Sequence, residues 1–244
     1  MKKVKAMKNK KPFYGQEMKN LIIIMTFLSL VGIFAIIWTM WFSNADPRTN
    51  SIITVVSSVV ILLSVVLIIT GKWSSGTGKL KMRDKIIKEM ELNGTEKILD
   101  IGCGRGLLAI GLAKKITTGS VIGADHWIGT FEYSNEKEQA IENAILESVS
   151  DKVRIEAADV TSLPYSDNEF DIVTSSLMLH HVKDWSKAMS ELRRVLKPDG
   201  KLYIADIPYR SISKSLENSG LKVDKCKGIA RLFFFKVYLI ISIK

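Results

Sequence analysis

Ile98-Leu99-Asp100-Ile101-Gly102-Cys103-Gly104-Arg105-Gly106 reads as an apolar strand over 97–101 that runs into a glycine-rich turn. A helix follows over 106–116. Glycines at this spacing let the backbone turn sharply and approach a ligand closely. The frame Gly104-Arg105-Gly106-Leu107-Leu108-Ala109 also fits GxGxxA, so a dinucleotide has to be weighed. Asp100 argues against it. A carboxylate ending the strand two residues before the first glycine would face a pyrophosphate and repel it. It suits a ligand with a cationic ammonium and sulfonium, such as S-adenosylmethionine.

Downstream, strand-like and helix-like segments alternate. Ser120–Asp125, Val153–Ala157, Phe170–Ser175 and Lys201–Asp206 read as strands, with two more near 221–226 and 235–243. Helices are expected over 136–149, with Ala140, Ile141, Ala144, Ile145 and Val149 on one face, over 185–196 and around 211–218. This alternation predicts a mostly parallel sheet covered by helices, whose ligands bind at the carboxyl ends of the strands. Asp125 ends the second strand, where an acid can accept both ribose hydroxyls. Asp159 follows the third and can accept from an adenine amino group. Turn chemistry is the plainer role for Asp159, as capping the glycine turn is for Asp100.

Upstream, Leu21–Phe42 and Ile52–Thr70 are uncharged runs of 22 and 19 residues. At about 1.5 Å per residue, helices of roughly 33 and 28 Å would match a hydrocarbon core. Nine residues, 43–51, join them, which predicts a transmembrane hairpin. Seven lysines and one acid occupy the first twenty residues, while the connection carries only Arg48 as a base. That asymmetry puts both termini in the cytoplasm. A signal peptide cut near Ser43-Asn44-Ala45 is the rival, but the run is too long for an h-region and a second run follows. Gly71–Lys79, rich in Gly and Ser, reads as a flexible linker, and residues 80–244 as the second domain.

The 244-residue chain has a net charge of +10, but from residue 71 onward it holds 27 bases against 23 acids. The sequence pI of 9.5 is therefore mainly a tail effect. Nucleic acid is not an expected partner, because stacking aromatics flanked by Lys or Arg are missing. Cys103 and Cys226 are too few for a disulfide framework or a metal cluster and suit a reducing compartment. No metal site is expected. Arg193 and Arg194 read as a solvated helix face.

Together, ILDIGCGRG, VIGAD, AADVTSLPY, FDIVTSSLMLHHV and RVLKPDGKLYIAD resemble the motif series of the class I, Rossmann-like, S-adenosylmethionine-dependent methyltransferases, most closely the branch with quinone-biosynthesis C-methyltransferases. The resemblance covers about residues 80–244. It implies a seven-stranded sheet in the order 3-2-1-4-5-7-6 with the last strand antiparallel. It also implies that Asp100, Gly102 and Gly104 hold the methionine end, with Cys103 a small residue in the same loop. By the same resemblance Asp125 binds ribose, His126 or Trp127 lies beside the adenine, and Asp159 and Val160 contact it. His180 and His181 follow the fourth strand, where relatives place substrate-facing residues, and either could serve as a general base, with Asp206 a weaker candidate. Trp127–Ser134 is a longer connection than usual, and the segment before the first strand is short for an active-site lid.

The resulting expectation is methyl transfer from S-adenosylmethionine to a small, apolar or membrane-associated acceptor, with membrane lipids as the other partner. The sequence leaves the oligomeric state and the acceptor open. Two other readings stay open at this level: a non-catalytic S-adenosylmethionine-binding membrane module, and a nicotinamide-dependent oxidoreductase.

Overall fold

β1 (Lys97–Ile101) is an interior strand of a seven-stranded sheet, third from one edge, with side chains buried on both faces. The computed structural model describes residues 10–15, 19–127, 136–207 and 209–244. They form two units, one built on residues 19–79 and the other on residues 10–14 with 80–244.

In the first unit, α1 (Lys19–Trp41) and α2 (Pro47–Trp73) form a hairpin. Asp46 caps α2 by accepting from the backbone N–H groups of Arg48 and Thr49, and Pro47 starts the helix where its missing N–H costs nothing. Small residues let the two helices approach. A Cβ on Gly32 would lie 3.0 Å from Ile61 Cγ1 and 3.3 Å from the Ser57 carbonyl oxygen. The expected linker is helical instead of coil: Ser74–Gly78 forms a π-helical turn that leads into α3 (Lys79–Met90). Its Gly and Ser residues favour coil only weakly, and a helix already propagating on both sides removes the nucleation penalty.

In the second unit, α4 (Leu107–Ala113), β2 (Ser120–Asp125), α5 (Glu136–Leu146), β3 (Val153–Ala157) and β4 (Phe170–Ser176) follow β1. After them come α6 (Trp185–Val195), β5 (Leu196–Asp206), α7 (Tyr209–Asn218), β6 (Lys222–Leu232) and β7 (Phe235–Ile243). The strand order is β3-β2-β1-β4-β5-β7-β6. β1 to β5 are parallel to one another, and β7 runs antiparallel to both β5 and β6. This is the expected α/β Rossmann-like sheet. Alternate β1 side chains feed two cores: Ile98 joins Met82, Ile86 and Ile110, while Leu99 joins Met189, Leu192 and Leu216.

Three local readings are corrected. The buried face of α5 is Ala140, Asn143 and Ala144, whereas Ile141 and Ile145 are exposed. Asn143 wins a buried place because its amide is fully used, accepting from the Phe13 N–H and donating to the carbonyls of Phe13 and Arg105. β5 begins at Leu196, not Lys201, with a register shift opposite Phe170 and Ile172 that absorbs the Lys197-Pro198-Asp199-Gly200 turn sequence. Arg194 is no free surface charge. Its guanidinium reaches Glu191, Asp167 and the carbonyls of Leu163 and Tyr165, tying α6 to the segment before β4.

Candidate functional site

The carboxyl ends of β1, β2, β3, β4 and β5 lie on one sheet edge and carry Asp100, Asp125, Asp159, His180 and Asp206 on or just after them. Asp100 faces Thr174 across the β1–β4 ladder and takes a 2.7 Å bond from its hydroxyl through Oδ1. The residue is 1% exposed, and its Oδ2 has no partner. Burial pushes its carboxyl up to about 7, against the opposing pull of the Thr174 hydroxyl and the Ala109 backbone N–H; the nearby Asp125 carboxylate raises it further. Among the described residues no cation lies beside this carboxyl, and one of its oxygens is unpartnered. A cationic ligand group would suit it; a phosphate would not.

The glycine turn is held from the neighbouring strand. The N–H groups of Gly102 and Cys103 donate to the Ala124 carbonyl at 2.8 and 3.2 Å, and the Gly104 N–H donates to Asp125 Oδ2 at 2.8 Å. Asp125 Oδ1 accepts from the His126 N–H at 2.7 Å. Gly102 and Gly104 adopt φ of 74° and 51°, which disfavours any side chain. They differ in surroundings: a Cβ on Gly104 would meet open space, but one on Gly102 would sit 2.3 Å from Met178 Cγ. Gly102→Ala should therefore lower unfolding free energy by about 1–3 kcal/mol through overpacking and backbone strain. An unchanged denaturant midpoint would show that Met178 does not press on the turn. Cys103 is part of the turn and buried, and burial raises its thiol well above the ordinary value.

Asp159 makes an Asx-type turn, its Oδ1 accepting from the Thr161 N–H and hydroxyl at 2.8 Å each. These bonds hold its carboxyl below the usual range. Oδ2 lies 3.9 Å from His126 Nε2, so the ends of β2 and β3 approach each other here, and the adjoining Val160 is buried. Trp127 follows with φ of 40° and an unpartnered, buried indole N–H. Of the longer connection, Ile128–Ser134 lies outside the described residues.

At the other corner, His180 Nδ1 is 2.7 Å from Asp206 Oδ1. Asp206 is fully buried and also accepts from the backbone N–H groups of Ile207 and His180. The bond to Asp206 raises the His180 pKa, while its side chain stays 28% exposed. The His181 ring stands 4.0 Å from it, with a pKa lowered by burial and then by His180. The two histidines are thus unlike, and only His180 has a carboxylate behind it.

Sequence reasoning missed a clip from the N-terminal segment. Besides the Asn143 bonds, the Lys10 ammonium pairs with Glu142 at 2.6 Å, Tyr14 donates to Glu147, and the Phe13 ring lies 4.8 Å from the Arg105 guanidinium. Arg105 belongs to the glycine turn, so this segment braces the turn from outside. An asparagine at a core-facing position of an amphipathic helix is the one signal that pointed there.

Residues 99–204 match the family model described as a methyltransferase domain. The methyltransferase GfsG of Streptomyces halstedii is 35% identical over 130 residues, 53% of this chain and 44% of that protein. A demethylmenaquinone methyltransferase of Lactobacillus johnsonii is 34% identical over 125 residues, 51% of this chain and 49% of that protein. The chain spans about half the length of the curated relatives it matches. Among solved structures, a SAM-dependent methyltransferase from Aquifex aeolicus superposes with a TM-score of 0.57 at 22% identity, covering 68% of this chain and 90% of that one.

Proposed function

We infer that this chain, whose residues 99–204 match a methyltransferase-domain model, is an S-adenosylmethionine-dependent methyltransferase over residues 80–244 and methylates a small acceptor that partitions into the membrane. The observation that carries the reading is Asp100: a buried carboxyl with a free oxygen, beneath a glycine turn tied to Asp125. In this reading Asp100 and the backbone at Gly102–Gly104 hold the ammonium end. Asp125 holds the ribose, and His126, Asp159 and Val160 frame the adenine. The bound sulfonium supplies a methyl group already activated for in-line displacement. The chain's own work is then positioning, exclusion of water and removal of a proton.

His180 takes that last role. With Nδ1–H donated to Asp206, the imidazole presents Nε2 as the acceptor of a proton, and the buried carboxylate stabilises the imidazolium that forms. A base backed in this way suits an acceptor that must lose a proton, such as a hydroxylated or quinol-like ring. Relatives named for demethylmenaquinone methylation favour the same chemical class.

Lipid association rests on α1 and the long helix over residues 47–90. Both are long and apolar enough to cross a membrane, and only 6% of each apolar window is buried. A core helix of a water-soluble domain would bury most of that surface. The lysine-rich start puts both flanks in the cytoplasm. The clip supports this, because residues 10–14 bond to the same domain that follows the second span. A reporter fused after Lys244 should be active only in its cytoplasmic form, and export of that reporter would overturn the topology.

The function itself is tested by incubating purified full-length protein with methyl-labelled S-adenosylmethionine and a total lipid extract of its own membranes. Mass spectrometry should find the label in one lipid-phase product. Label confined to aqueous species would remove the membrane acceptor from the proposal.

A further inference from the structure

The turn between β6 and β7 is made of the wrong residues for a turn. Two-residue hairpin turns favour Asn-Gly or similar pairs, which tolerate positive φ. Here Phe233 and Phe234 occupy the turn, and Phe233 takes a φ of 53°, a left-handed value costly for an aromatic residue. The rings of Phe233 and Phe234 lie 4.2 Å apart, and Phe234 and Phe235 are 59% and 54% exposed. Just behind them Arg231 stands directly opposite Lys236 across the two strands. The Lys236 ammonium lies 4.9 Å from the Tyr238 ring. The tip thus sacrifices turn chemistry and leaves aromatic rings in water between two bases. An anionic, partly apolar surface suits that combination.

Its position identifies the surface. Asp206 pairs with Tyr238 in the β5–β7 ladder, so Phe235 lies three residues beyond the site edge, about 10 Å at the rise of a strand. The hairpin also runs along α3 toward its N-terminal end. Lys225 and Lys227 pair with Glu89, and the Lys85 ammonium donates to the Ile229 carbonyl one turn earlier on the helix. The tip therefore points toward the N-terminal end of α3.

We propose that Phe233–Phe235, with Arg231 and Lys236, form a lipid wedge that seats at the headgroup–acyl boundary of an anionic bilayer beside the mouth that holds His180 and Asp206. Such boundaries take apolar side chains about 5–10 Å deep and favour flanking bases. The proposal rests on the membrane-anchored reading above, but its test needs no methyl transfer.

In full-length protein carrying Cys226→Ser, a nitroxide at Phe234→Cys is compared with one at Leu30→Cys in α1 and one at Glu217→Cys on α7, in phosphatidylglycerol–phosphatidylcholine vesicles. The label at 234 should be more accessible to oxygen than to a water-soluble nickel chelate, as at 30 and opposite to 217. In unlabelled wild-type protein, amide exchange over residues 229–238 should slow in the same vesicles relative to detergent. A water-like label at 234 with a deep label at 30 overturns the wedge and leaves the anchor standing. Water-like labels at both overturn the anchor and the wedge together. Broadening at 234 that disappears on dilution with unlabelled protein would assign the tip to a second copy of this chain and likewise overturn it.

Discussion

Asp100→Asn should weaken S-adenosylmethionine binding roughly 10- to 100-fold, the worth of a hydrogen bond to a charged group. It should do so without lowering the stability of the ligand-free protein. The asparagine keeps the shape and an acceptor for Thr174, and it removes a charge whose desolvation the surroundings do not offset. The pH dependence follows with a definite sign. The folded carboxyl titrates at about 7 against an ordinary value of 3.8. The stability tied to its protonated form is fully present below the ordinary value and is lost as pH rises through about 7. Affinity for the cationic ligand moves the other way and rises through the same range, because ligand binding needs the carboxylate. Thr174, Asp125 and Cys103 are the side chains that face this group, and none brings a positive charge. Calorimetry from pH 5.5 to 8.5 should show wild-type affinity climbing and the Asn variant flat. Equal affinity in the two proteins at high pH would mean that Asp100 does not touch the ligand.

Which parts of this molecule can be read from its sequence follows from how local their causes are. The ends of β1 and β2 were legible to the residue, because a strand buried on both faces is a short apolar run that stops where polar or glycine residues begin. Asp100 and Asp125 stood out for the same reason: each is a charge at the end of such a run. The buried state of Asp100 was not legible, since it depends on Thr174, 74 residues away, and on the first turn of α4. The difference between His180 and His181 was equally hidden. They are adjacent in sequence, and only the β4–β5 pairing decides which one meets Asp206. The face of α5 was misread because isoleucine outranks asparagine on any hydropathy scale. The burial of Asn143 comes from the carbonyls of Phe13 and Arg105, which no local window contains. The helical form of Ser74–Gly78 has a similar origin, as helices on both sides override weak local preference.

The largest effect is expected at His180. With the labelled product in hand as acceptor, His180→Ala should lower turnover by about 10²- to 10⁴-fold, the usual contribution of a positioned base. S-adenosylmethionine affinity should stay unchanged, since among the described residues no bond joins His180 to the Asp100–Asp125 corner. Asp206→Asn separates a base from a mere packing residue. With its oxygen at the Oδ1 position the amide still accepts from the Ile207 N–H and from His180 Nδ1–H, and it loses only the 3.3 Å bond from the His180 backbone N–H. It cannot stabilise an imidazolium. The His180 pKa is now raised, first by the bond to Asp206. The wild-type rate should therefore climb with pH through a value above the ordinary 6.5, as the imidazole becomes neutral. In the Asn variant the limb should move to lower pH while the plateau falls, because the base is weaker. A purely structural histidine would lose stability without shifting the profile. If Asp206→Asn leaves the position of the limb in place, or His180→Ala turns over at the wild-type rate, the acceptor gives up no proton to this pair and methyl transfer here depends on positioning alone.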